Sequence, residues 1–212
     1  MTMLTEPISP PASQQFRFDS ISWQGYEDVL RAVGDQLIYV TFDRGRMELM
    51  SPSPSHELYK ELIGRLIDVL AMERSIPLIA LGSATFRRKD LLRGLEPDKC
   101  YYIANAGRMR GKTDIDLAVD PPPDLVVEID ITHRSLDREA IYTAMGVPEI
   151  WRFDGNHLQA LVLHGHEYET AGTSACFSGL ALGEMERFVK MAASLDTTSI
   201  RMAFRDWLRT LG

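Results

Sequence analysis

The stretch Pro123-Asp124-Leu125-Val126-Val127-Glu128-Ile129-Asp130 decides how this chain is read. Side chains alternate along a strand with a period of two, so residues 124, 126, 128 and 130 share one face while Leu125, Val127, Ile129 and Ile131 turn into a core. Asp124, Glu128 and Asp130 therefore line up on one side of an apolar strand. Buried carboxylates are costly unless something neutralises them, and a hard divalent cation is the usual remedy. About thirty residues upstream, Leu95-Glu96-Pro97-Asp98 runs into Cys100-Tyr101-Tyr102-Ile103 and places a second carboxylate beside a second short apolar run.

Elements of both periods surround these two words. Ser22 followed by Trp23, Tyr26, Val29, Leu30 and Val33, with Gly34 as a stop, predicts a first short helix. Residues 37–43 and 47–50 flank Arg44-Gly45-Arg46 and predict a hairpin. Ser51-Pro52-Ser53-Pro54-Ser55 supplies capping chemistry for the longest helix, to residue 73. Strands are expected at 76–81 and 83–88 on either side of Gly82, then at 100–103. The stretch 104–122, with Gly107, Gly111 and prolines at its end, reads as a loop.

Beyond the 124–131 strand, Ser135 is the expected cap of a helix carrying Leu136, Ile141, Tyr142 and Met145 and ending at Gly146. Strands at 149–154, 157–163 and 166–170 and helices near 183–193 and 197–210 finish the chain. Alternation of this kind means an α/β (mixed α+β) fold, with one central mixed sheet flanked by helices. Residues 1–15, rich in Pro, Ser, Thr and Gln, read as a flexible lead, and 16–212 as a single domain.

A formal charge of -7 excludes a protein that coats nucleic acid by bulk charge and leaves room only for a local basic face. Arg87-Arg88-Lys89 with Arg93 is one candidate; Arg108, Arg110 and Lys112, read as ordinary solvated surface, are another. Cys100 and Cys176 are too few for a disulfide framework, and no apolar run reaches membrane-spanning length, so a cytoplasmic protein is expected. His56, His133, His157, His164 and His166 lack zinc spacing and read as surface residues. Trp23, Trp151 and Trp207 read as core. No glycine-rich phosphate loop and no Gly-x-Ser-x-Gly elbow occurs.

Four words in order carry a resemblance: Phe86-Arg87-Arg88-Lys89-Asp90, Gly94-Leu95-Glu96-Pro97-Asp98, Pro123 to Glu128, and Tyr142 with Gly146-Val147-Pro148-Glu149-Ile150-Trp151-Arg152. From about Trp23 to about Tyr168 the chain resembles the PD-(D/E)XK nuclease superfamily and, within it, the Uma-two family of restriction endonucleases. The resemblance implies a restriction-endonuclease-like core and metal-dependent hydrolysis of phosphodiester bonds in DNA, with Asp98 and Glu128 holding Mg²⁺ or Mn²⁺. The superfamily usually carries a lysine two residues after the glutamate, where this chain has Asp130. In close relatives that lysine stands at the position matching Arg138, and arginine keeps the charge but does not act as a base. Glu57, in a family-like Ser-Pro-Ser-His-Glu word, is expected as an outer carboxylate.

Each residue also has a plainer reading. Asp124 suits a turn cap better than a metal, Asp98 suits a strand-entry turn, and Glu128 suits an ion pair with Arg138. The missing lysine allows an alternative function, a nuclease fold without catalysis that binds nucleic acid or a protein partner. Cutting both strands of a duplex takes two sites, so a homodimer is expected, with Phe188, Val189, Phe204, Trp207 and Leu208 as its candidate interface.

Overall fold

The computed structural model describes residues 13–131 and 135–211, and two sheets divide its strands. The first sheet is antiparallel, in the order β1 (Gln14–Phe18), β3 (Arg46–Ser51), β2 (Tyr39–Asp43), β6 (Arg93–Leu95), β5 (Phe86–Arg88). The second runs β11 (Glu167–Ala171), β10 (Leu158–His164), β9 (Glu149–Phe153), β8 (Leu125–Ile129), β7 (Lys99–Tyr102), β4 (Ile79–Gly82). Only β8 and β9 pair in parallel, and α4 (Arg138–Met145) makes the crossover that a parallel pair requires. The mixed α+β class stands; the single central sheet does not. At Gly82 the chain takes φ 63°, and the strands on either side then join different sheets, β4 pairing with β7 and β5 with β6. Strand β6 escaped the sequence reading because three residues containing a glycine show no periodicity.

Caps explain most helix starts. Ser22 Oγ accepts the Gly25 N–H at the head of α1 (Trp23–Val33), and Ser53 Oγ accepts the His56 N–H at the head of α2 (Pro54–Glu73), where Pro54 needs no partner. For α4 the cap is Asp137, which accepts the Ala140 N–H, and not Ser135. Gly146, left-handed at φ 75°, ends it as expected. The proposed lead is shorter than 15 residues, because Gln14 and Gln15 already pair with Ser51 and Met50; residues 1–12 lie outside the described part. The 104–122 loop carries one turn of helix, α3 (Ala106–Met109).

Both faces of β8 are covered. Leu125, Val127 and Ile129 pack with Leu62, Leu66 and Leu70 of α2 and with Met185 and Phe204 of α5 (Leu182–Lys190) and α6 (Thr197–Thr210). Val126, on the other face, packs with Ile141 and Tyr142 of α4 and with Phe86 and Leu95 of the first sheet. That first sheet carries α1 on its far side, through Tyr26, Val40 and Phe42. The interface expected on the C-terminal helices is overturned by this packing. Phe188, Val189, Phe204 and Leu208 are buried in the chain's own core, and Trp207 stacks half-buried on Phe204; each buried side chain there is worth roughly 1.5–3 kcal/mol to folding. Among the described residues no helix is long and apolar enough to cross a membrane.

Candidate functional site

The inner face of the first sheet and the Glu128 side of β8 meet in a seam of charged groups. Strands β7 and β8 pair with Lys99 opposite Val127 and Cys100 opposite Val126, and one more step of that register sets Asp98 opposite Glu128. Directly opposed like charges destabilise a sheet, and both carboxylates are buried, Asp98 at 1% exposure and Glu128 at 5%. Each is held. Asp98 Oδ2 accepts the Ile129 N–H at 2.7 Å, and His56 Nε2 lies 3.2 Å from the same oxygen, outside hydrogen-bond alignment. Glu128 Oε1 accepts Arg138 Nη2 at 2.6 Å and Nε at 3.2 Å, together with the Tyr142 hydroxyl.

Arg138 spends its guanidinium inside the protein. Besides Glu128 it donates from Nη1 to Thr41 Oγ1 at 2.6 Å and from Nη2 to the Glu96 carbonyl at 2.7 Å and Tyr142 Oη at 3.2 Å. Burial works against its charge, but the negative charge of Glu128, the hydroxyl of Tyr142 and the negative charge of Asp98 outweigh burial and hold its pKa above the ordinary arginine value. Arg138 therefore ties α4 to β8 and β2. Beside it Glu48 of β3 accepts both the N–H and the hydroxyl of Ser135. That bond explains why Ser135 does not cap α4.

On the other side of Asp98, helix α2 presents His56, Glu57 and Lys60. His56 Nδ1 lies 3.2 Å from Glu57 Oε1, Glu57 pairs with Lys60, and Lys60 Nζ donates to Tyr39 Oη at 3.1 Å. Burial pushes the Lys60 pKa down, but the bonds to Glu57 and Tyr39 outweigh it and keep the ammonium charged. Burial, then the charge of Asp98, pushes the Tyr39 phenol up to about 12. Asp130 stands apart from this chain of contacts. It is half-buried, its Oδ1 has no partner among the described residues, and with Glu128, Arg138, Tyr142 and Arg152 it lines a cavity of about 190 Å³.

The predicted residues thus fall into two linked groups, Asp98 with Glu57 through His56, and Glu128 with Arg138, with Asp130 beside the second. Asp124 has a structural capping role, but for the turn at residues 103–105 and not for one after the prolines, accepting the N–H groups of Ile103 and Asn105 and the Asn105 amide. His56 is a correction to the surface reading, being 1% exposed; His157, His164 and His166 are exposed, and His133 lies outside the described residues. Sequence reasoning passed over Tyr39, Thr41, Glu48 and Lys60. The spacing of His56 and Lys60, four residues apart and so on one helix face, was the available signal for Lys60.

Among the described residues no three His, Cys, Asp or Glu side chains converge as a ready metal cluster. Two hard carboxylates on facing positions still fit Mg²⁺ or Mn²⁺, ions that take one or two carboxylates and fill the remaining positions with water and phosphate oxygens. The Uma2 family, described as "Putative restriction endonuclease", matches residues 23–191. No curated protein matches the chain. The chain belongs to the Uma2 family and has its nuclease-like character, over a span that contains every candidate residue named above.

Proposed function

From that membership we propose that this protein is a Mg²⁺- or Mn²⁺-dependent endonuclease that hydrolyses phosphodiester bonds in DNA, working in the cytoplasm. The observation that carries the reading is the pair of buried carboxylates, Asp98 and Glu128, facing each other across β7 and β8. These two would hold the ion. Once bound, a divalent ion polarises the scissile phosphate and lowers the pKa of a coordinated water. The remaining work belongs to the chain. The Ile129 N–H fixes the Asp98 oxygen, and Arg138 with Tyr142 fixes that of Glu128, so the oxygens are oriented before substrate arrives. Arg138 supplies the positive charge that braces phosphate oxygens, Asp130 lies at the cavity beside it, and Glu57 offers an outer carboxylate at the Lys60 rim.

A second reading, a nuclease fold that binds DNA without cutting it, draws support from one feature. Arg138 donates from Nε, Nη1 and Nη2 to the protein's own acceptors, so phosphate would have to compete for it. The deciding experiment incubates purified protein with plasmid and single-stranded DNA in Mg²⁺, Mn²⁺, Ca²⁺ or EDTA, alongside Glu128→Gln. Nicking in Mg²⁺ or Mn²⁺ that disappears in the folded Glu128→Gln variant is the expected result. Cutting by that variant at the full rate would overturn the assignment. A silent wild type that gains cleavage as Arg138→Lys would establish the second reading. The mass in solution tests the homodimer that double-strand cutting needs, through a surface other than the apolar faces of α5 and α6.

A further inference from the structure

One end of the first sheet carries a row of charged residues that folding alone does not call for. The strand registers set Arg46 of β3 opposite Asp43 of β2, Asp43 opposite Arg93 of β6, and Arg93 opposite Arg88 of β5. Four adjacent strands thus present three guanidiniums and one carboxylate in line. Arg44, in the turn between β2 and β3, adds a fourth guanidinium. Asp43 Oδ1 takes Arg93 at 2.8 Å and Arg44 at 3.2 Å, and its Oδ2 takes Arg46 at 2.5 Å, while Arg88 is held by Asp90 at 2.7 Å. Four arginines share two carboxylates in a chain whose net charge is -7. Arg93 and Arg88, directly opposite and alike in charge, work against sheet pairing.

The backbone beneath the row is held in an unusual shape. The turn is two residues long with both central residues at positive φ, Arg44 at 48° and Gly45 at 90°. Such turns favour Asn or Asp at the first position, where an arginine is strained. Leu92, just before Arg93, is left-handed too, at φ 51°. The two strained residues meet, the Arg44 N–H donating to the Leu92 carbonyl at 2.9 Å, and the Gly45 carbonyl accepts the Ile21 N–H at 2.9 Å. Strain of this kind persists where surrounding structure enforces it, and it points from an observed outlier toward function.

The row also faces the candidate site. Asp43 shares its strand face with Thr41, which accepts Arg138, and Arg93 donates to the Ala140 carbonyl of α4. A two-residue step along a strand is about 7 Å, roughly two nucleotide rises of a duplex. Arg44 and Arg46 keep 63% and 45% of their side-chain surface exposed, so they are open to an anion from solvent.

We propose that the Arg44–Arg46 turn, with Arg93 and Arg88 behind it, is a preformed clamp for the phosphate backbone of DNA that lays a strand across the Glu128 seam. The inference rests on the reading of DNA as the substrate, but it concerns binding and is tested without cleavage. The test measures affinity of the full chain for a short fluorescein-labelled duplex by anisotropy in Ca²⁺, between roughly 50 and 200 mM salt. Variants Arg44→Gln, Arg46→Gln and Arg187→Gln are compared, the last being an exposed arginine on α5. Each clamp variant is expected to weaken binding on any sequence and to flatten the slope of log K against log salt by about one, with Arg187→Gln unchanged. Equal slopes in all variants, an equal loss with Arg187→Gln, or no binding by the wild type would overturn the clamp. Loss of cleavage in Glu128→Gln with clamp-dependent binding intact belongs to the nuclease reading alone. Clamp-dependent binding by a wild type that never cuts would leave the clamp standing and remove the nuclease.

Discussion

Asp124 and Glu128 sit four residues apart on one face of the β8 segment and are buried to the same degree, 6% and 5% exposed, yet their partners differ in kind. Asp124 takes neutral donors from the loop it closes, the N–H groups of Ile103 and Asn105 and the Asn105 amide. Glu128 takes a guanidinium and a phenol from α4, and that guanidinium reaches on to β2 and to the Glu96 carbonyl. Glu149, fully buried on β9, behaves like Asp124, accepting Trp151 Nε1 and the Cys176 N–H. Neutral donors are thus enough to hold a buried carboxylate in this fold. A buried ion pair adds little net stability, since desolvation of both charges offsets their attraction. The charged partners around Glu128 are therefore better explained by what the site does than by what the fold needs.

Removing the counter-charge is the hardest test of that contrast. Arg138→Met should leave Glu128 buried and uncompensated, at a loss of about 3–5 kcal/mol in urea unfolding. The double variant Glu128→Gln with Arg138→Met should recover most of that loss, because the cost lies in the stranded charge. A loss below about 1 kcal/mol in the single variant would put Glu128 in the same class as Asp124 and break the comparison.

Asp124→Ala should come next, at roughly 2–3 kcal/mol, since several charge-assisted bonds to the 103–105 loop vanish together. Cleavage per folded molecule should not change. Glu128→Gln should instead abolish cleavage, and because it strands the buried Arg138 guanidinium it should also cost stability, up to about 3–5 kcal/mol. Tyr142→Phe is expected to cost about 1 kcal/mol and to loosen Arg138 without removing it.

The strand bearing Glu128 was legible because alternation and β-branched residues agree over its whole length, and so were α1, α2, the end of α4 and the hairpins, where Ser22, Ser53 and Gly146 cap or stop in the expected way. What the sequence hid is long-range. Nothing local says that Gly82 sends β4 and β5 to separate sheets, or that Ser135 leaves its helix to satisfy Glu48, 87 residues away. Arg138 was legible as a candidate, yet its bond to Thr41 spans 97 residues. The apolar faces of α5 and α6 looked like an interface because a pattern shows that a face is buried and not which surface buries it.

The smallest effect concerns a third kind of buried carboxylate, one held by three arginines of which Arg44 and Arg46 are exposed and Arg93 is largely buried. Burial pushes the Asp43 carboxyl up, but bonds from Arg93, Arg46 and Arg44 outweigh burial and hold it below the ordinary aspartate range. A group with a depressed folded pKa contributes stability that is present above its unfolded value, about 3.9, and is lost as pH falls through the folded value. Wild-type stability should therefore drop on acidification below about pH 4 by more than that of Asp43→Asn, and the two curves should converge once the carboxyl is protonated in both states. The difference at neutral pH should stay under about 1 kcal/mol, because Arg44 and Arg46 are open to solvent and their pairing is screened. Urea unfolding at pH 7 and at successively lower pH measures it. A difference that does not shrink toward acid would mean that Asp43 is held by packing alone and that its arginines are free to serve DNA without it.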